Sequence, residues 1–376
     1  MPDFVYNFLG GGGAMGGPCA AGPGSNLPGL PNPIALTWPQ LLNAQLRLGV
    51  YPGGWVADEL AWRVYSFTIT VAPLAAAGGL PGGPPGGGVV PGVAVGGVMA
   101  NLAPSPVAVG VDTTERGQLG YHMGTAVGGA LAQYLFLPLG AGAATGWYSF
   151  HLSRAIANGG VFNFANAMRP DIVIFAVNPL TLVVHRFVVW ENKGHCVNFG
   201  GLAAIGPALL QAQSLTAVTT IPGNPGLGGG AGPVVLGGPW APNCHIASQV
   251  DLNGVGGNFR VQTVDPPNDT DRTPSLSAKD MSNFLRGYYA PFVEALRTSA
   301  SAVRYYGERA FRTVELPKNV RLGLDDEIYK AWLSGGASFA TEVGQIHSAS
   351  YKMQSRETIY IHETGISTEV PGRWGG

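Results

Sequence analysis

A chain of 376 residues with 58 glycines and 30 prolines lies just below the composition at which an aperiodic sequence reads as low-complexity. Apolar residues make up 46% of it, aromatic ones 10%, so a sizeable core can be buried and wholesale disorder is excluded. A net charge of −1 excludes a uniformly basic, nucleic-acid-coating protein and leaves phosphate contacts to local patches.

Residues 1–37 are rich in Gly, Pro and Asn and predict a loop or covering arm. They begin with an acid rather than a basic segment, so no secretory signal is expected. Trp38 to Gly49 predicts a short helix, and Ala61 to Val71, with its alternating aromatic and β-branched residues, a strand. Residues 75–107 read as a linker. From Thr113 onward a Thr, an early Glu and then apolar residues predict a capped helix. Met123 to Phe150 is uncharged and long enough to cross a bilayer. Gln133, Pro138, many glycines and the lack of a flanking Lys/Arg cluster favour a buried helix and loop instead, hence no membrane.

The clearest element is Arg169 to Lys193. The apolar run 171–177, the turn signal Asn178-Pro179 and the second run 182–193 predict a hairpin. Ala203 to Leu215 predicts a helix that Pro207 must either open or break. Residues 221–243 read as a Gly/Pro insertion, 245–252 and 259–264 as strands. Ser277 to Arg312 predicts helix, in one piece or two, with Arg297 and Arg304 on one face. Glu357 to His362 is strand-like. Three regions result: 1–110, 111–270 and a mainly helical 271–376.

Charge is uneven. The first 250 residues hold seven basic and seven acidic residues, and Phe4 to Leu46, Val64 to Val111 and Gly194 to Val250 hold none. A charge inside so apolar a segment asks for a partner, because burying one alone is costly. On the second strand of the hairpin, Glu191 and Lys193 project to one face with Phe187 and Val189, and the turn brings Asp171 beside them. Two such carboxylates repel, and one would keep its proton. A hard divalent ion, Mg²⁺ or Mn²⁺, resolves the conflict and can polarise a phosphoryl oxygen.

Pro170-Asp171 followed by Glu191-Asn192-Lys193 resembles the PD-(D/E)XK nuclease motif of the restriction-endonuclease-like superfamily, over roughly residues 112–265. The resemblance implies a mixed sheet flanked by helices and Mg²⁺-dependent hydrolysis of DNA. It implies that Asp171 and Glu191 are metal ligands, joined by the backbone carbonyl of Asn192, with Lys193 activating water and stabilising charge. Glu115, on the helix before the hairpin, matches an acid that many members carry there. Gln211 matches a Gln on the helix after the Lys, although Leu215 stands where a Tyr is usual and Gln213 competes. Arg169 and His122, the latter seven residues beyond Glu115, are candidate nucleic-acid contacts.

Three cysteines without a C-x-x-C pair exclude a disulfide scaffold and fit a reducing, cytoplasmic location. His195-Cys196 and Cys244-His245 match no common zinc spacing and read as buried apolar cysteines. Neither a P-loop nor H-E-x-x-H nor G-x-S-x-G occurs. The expectation is therefore an α/β protein with a restriction-endonuclease-like core that acts as a metal-dependent nuclease on DNA, in restriction, defence or as a toxin, with a homodimer as candidate assembly. Its rival is a non-enzymatic structural protein, a capsid-like or surface component, which low charge and long uncharged loops would suit.

Overall fold

The computed structural model describes residues 3–10, 34–35, 37–48, 68–71, 101–104, 113–136, 145–195, 205–224, 232–251, 258–264, 273–316, 319–336, 338–348, 354–355 and 358–370. The fold is mixed α/β. Its central sheet runs in the order β2 (Ile34–Ala35), β1 (Asp3–Gly10), β12 (Asn258–Val264), β11 (Cys244–Asp251), β8 (Val183–His195), β7 (Ile172–Asn178), β5 (Gly146–His151). Strands β5, β7 and β8 are antiparallel neighbours, whereas β11 lies parallel to β8. A smaller antiparallel sheet holds β6 (Val161–Phe164), β9 (Leu215–Ile221) and β10 (Val234–Trp240), and β3 (Thr68–Val71) pairs with β4 (Asn101–Pro104).

The predicted hairpin is β7–β8. Every residue of β7 is buried, which explains its unbroken Val/Ile/Phe run: both faces are covered, so no alternation is required. Its turn works as Asn-Pro suggests. Asn178 Oδ1 accepts from the backbone N–H groups of Leu180 at 3.0 Å and Thr181 at 3.2 Å.

Helices α1 (Trp38–Leu48) and α2 (Thr113–Phe136) stand where the sequence predicts them. Within α2, Gly120, Gly124 and Gly128 recur every four residues and form one stripe laid on β8. A β-carbon on Gly128 would lie 1.9 Å from Asn192 Oδ1, so the stripe sets how closely helix and strand approach. The opposite face carries α4 (Ile205–Gln213), with Pro207 in its first turn, and α5 (Ala278–Thr298). Phe284 of α5 meets Phe150 and Phe175 at ring distances of 5.8 and 5.7 Å, and Tyr288 meets Tyr148 at 4.8 Å. Between β5 and β6 runs α3 (Leu152–Ala157).

Several expectations are corrected. Met123 to Phe150 is not helix and loop throughout, because Gly146–His151 is strand β5 at the sheet's end. Residues 234–240, expected within a Gly/Pro insertion, form β10. The C-terminal region carries, besides α5, α6 (Asp326–Ser334) and α7 (Phe339–Ser348), a six-stranded antiparallel sheet. Its order is β13 (Ala302–Tyr306), β14 (Arg309–Leu316), β15 (Val320–Asp325), β18 (Ile366–Glu369), β17 (Ile359–Ile361), β16 (Gln354–Ser355). Arg304 therefore lies on a strand and shares no helix face with Arg297. Ala302 to Arg312, expected as helix, lies instead on β13 and β14, where Arg309 pairs with Asp325 of β15. One continuous core joins α1, the central sheet and the C-terminal elements.

Candidate functional site

The β7–β8 register places Ile172 opposite Trp190, so the next pair outward is Asp171 and Glu191. Both are buried, and they bind each other's strand rather than solvent. The Asp171 backbone N–H donates to Glu191 Oε2 at 2.9 Å, and the Asn192 N–H donates to Asp171 Oδ2 at 3.1 Å. Glu191 Oε1 forms an ion pair with Lys193 Nζ, and the same ammonium donates to Gln211 Oε1 at 3.1 Å. Gln211 Nε2 in turn donates to the carbonyl of Arg169 at 2.6 Å, tying α4 to the segment that leads into Asp171.

Burial pushes both carboxyl groups up, Asp171 to about 6 and Glu191 to about 8. The Asp171 charge raises Glu191 further, and Lys193 pulls both back. Burial and mutual repulsion thus favour one shared proton near neutrality despite the neighbouring ammonium of Lys193. Asn192 supplies a third oxygen. Its N–H faces Asp171, and the carbonyl of a strand residue points to the same side as its N–H. Extending the β7–β8 register sets Pro170 opposite Asn192, and Pro has no N–H to offer that carbonyl. Two carboxylates and a carbonyl at one buried edge form the all-oxygen donor set that suits a hard divalent ion. Among the described residues, no group of three or more His, Cys, Asp or Glu is arranged to hold a metal.

Of the other predicted residues, Gln211 lies on α4 and accepts from Lys193. Arg169 is exposed, with its guanidinium 3.7 Å over the Phe164 ring and donating to the carbonyls of Asn166 and Met168. Its carbonyl, not its charge, touches the site. The backbone of Glu115 lies in the first turn of α2, and its side chain falls outside the described residues. The His122 ring lies edge-on to Tyr121, and its carbonyl accepts from Gln45. The residue of α2 on which both carboxylates act is Tyr121, whose phenol is raised by burial and by Asp171 and Glu191.

Sequence reasoning passed over Tyr121 and its hydrogen-bond partner His151. The glycine stripe was the available signal, because it sets which side of α2 meets the sheet. His245 is a core histidine bonded through Nε2 to the Leu215 carbonyl at 2.9 Å. Cys244 is buried and disulfide-bonded, with a partner outside the described residues.

Among the described residues no helix is long and apolar enough to cross a membrane. Comparison with family models, with curated proteins and with solved structures found no match.

Proposed function

We propose that the chain is a metal-dependent nuclease that hydrolyses DNA phosphodiester bonds, on a restriction-endonuclease-like core within residues 111–270. The observation that carries this reading is the convergence of Asp171, Glu191 and Lys193 where β7 begins beside β8 of a mixed sheet, in a part of the chain nearly devoid of charge. An Mg²⁺ or Mn²⁺ ion, when bound, polarises the phosphoryl oxygen and acidifies a water. Asp171, Glu191 and the Asn192 carbonyl would hold it. Lys193, steadied between Glu191 and Gln211, places an ammonium where it can orient water and offset charge on the phosphate. The deep placement of the carboxylates serves this end, since electrostatic interactions strengthen where water is excluded. Restriction, defence and toxin action all fit such chemistry.

The test is cleavage of supercoiled and linear DNA with Mg²⁺ or Mn²⁺, beside EDTA and Lys193→Ala controls. Cutting that needs the metal and falls at least about a hundredfold in Lys193→Ala is the expected result. Folded protein that cuts neither double- nor single-stranded DNA nor RNA would overturn the reading in favour of a non-enzymatic assembly protein.

A further inference from the structure

A second hydrogen-bonded unit meets the carboxylate site from the other face of the sheet. Tyr121 follows Gly120, whose carbonyl approaches Gly194, one residue beyond Lys193. His151 closes β5 in register with Ile172, and the next residue, Leu152, donates its N–H to the Asp171 carbonyl at 2.8 Å. The Tyr121 hydroxyl is hydrogen-bonded to His151 Nε2.

Ser153 sets the direction of that bond. Its backbone N–H donates to His151 Nδ1 at 3.2 Å, and its hydroxyl lies 2.6 Å from the same nitrogen. With Nδ1 an acceptor, the neutral imidazole carries its proton on Nε2 and donates it to the tyrosine oxygen. The Tyr121 O–H is thereby left to donate elsewhere, from a half-buried position near the carboxylates. Burial favours the neutral imidazole and the protonated phenol, so the unit adds a donor without adding charge.

We propose that Tyr121, aligned by His151, donates a hydrogen bond to a non-bridging oxygen of the phosphate that this site receives. The inference rests on the nuclease reading. Toward a ligand, the Asp171 and Glu191 carboxyls and the Asn192 carbonyl offer acceptors, apart from a proton shared by the carboxyls, while the Asn192 Nδ2 donor is buried against α2 at Gly128. A phosphate oxygen turned away from the metal needs a donor, and Lys193 approaches from the opposite face of the sheet. Tyr121 fills that gap.

The experiment compares the full-length wild type, Lys193→Ala, Tyr121→Phe and His151→Asn on the same DNA with Mg²⁺, alongside thermal unfolding. Asn at position 151 keeps a side-chain cap for α3 but is too short to hold Tyr121. The expected result is a roughly ten- to hundredfold lower kcat in Tyr121→Phe, with KM within about twofold and a smaller loss in His151→Asn. The rate penalty for phosphorothioate DNA of one configuration should shrink in Tyr121→Phe, which a merely structural role would not produce. Wild-type rates and an unchanged thio penalty in Tyr121→Phe, with Lys193→Ala inactive, overturn the proposal and leave the nuclease reading intact. A wild type that cuts nothing overturns both. Should Tyr121→Phe fail to fold, His151→Asn decides by the same criteria.

Discussion

A β-carbon placed on Gly194 would lie 1.7 Å from the carbonyl oxygen of Gly120, with backbone on both sides and no flexible side chain to give way. Strand β8 and helix α2 therefore touch through two glycines one residue past Lys193. Gly194→Ala should force the helix outward and cost about 3 kcal/mol. Gly117→Ala, on the same helix with open space around it, should instead stabilise by up to about 1 kcal/mol. Urea unfolding of the two variants, read against wild type, checks the contrast.

The shared proton of the carboxylate pair gives a calorimetric prediction. Burial and mutual repulsion raise both carboxyls, so the pair shares a proton near neutrality, whereas metal ligands must be ionised. Binding of Mg²⁺ or Mn²⁺ should release about one proton, which titration calorimetry in buffers of different ionisation enthalpy would count. Asp171→Asn removes the charge that raises Glu191, and the proton count should fall with it. Equal heats in every buffer for the wild type would contradict the coupling.

Gln211 touches the ammonium of Lys193 but lies at the rim of the site. Gln211→Ala should slow DNA cutting by roughly tenfold, because Lys193 loses one of the two groups that orient it, while stability changes by less than about 1 kcal/mol. Steady-state cleavage beside thermal melts separates the two effects.

Away from the site, Glu363 is buried and accepts from the Trp147 N–H at 2.8 Å. Burial raises its carboxyl to about 7. The folded state thus binds the proton more tightly than the unfolded one. The stability this group lends is present in full below its ordinary value near 4.5 and is lost as pH rises through 7. Glu363→Gln keeps the acceptor for Trp147 and removes the titration. Its stability relative to wild type should improve by about 3 kcal/mol between pH 4.5 and 8, at about 1.4 kcal/mol per pH unit. Denaturant titrations in EDTA at the two pH values measure it.

The hairpin and the meeting of Asp171, Glu191 and Lys193 were legible because they depend on local signals: an unbroken β-branched run, an Asn-Pro turn, and charges alternating onto one face. Helix α4 was legible too, since Pro207 belongs in a first turn. The strands β5, β10 and β13 were not. Gly146 to His151 adjoins an apolar stretch whose glycines blur the end of α2, and its extended form is set by pairing with β7. In Ala302 to Tyr306 the partner strand β14, and not the sequence, decides against helix. Tyr121 escaped notice because its relation to Asp171 runs through the packing of α2, which no spacing within the chain encodes.

The ring cluster of Tyr148, Phe150, Phe175 and Phe284 has a practical meaning for anyone wishing to isolate the half that carries the carboxylate pair. A chain cut after Val264 would keep both carboxylates and the lysine yet lose Phe284 and Tyr288 from α5. The rings of β5 and β7 would then face water as a sticky wall. Such a fragment would self-associate, so the smallest portable unit of this site extends through α5, far past the last of its own side chains.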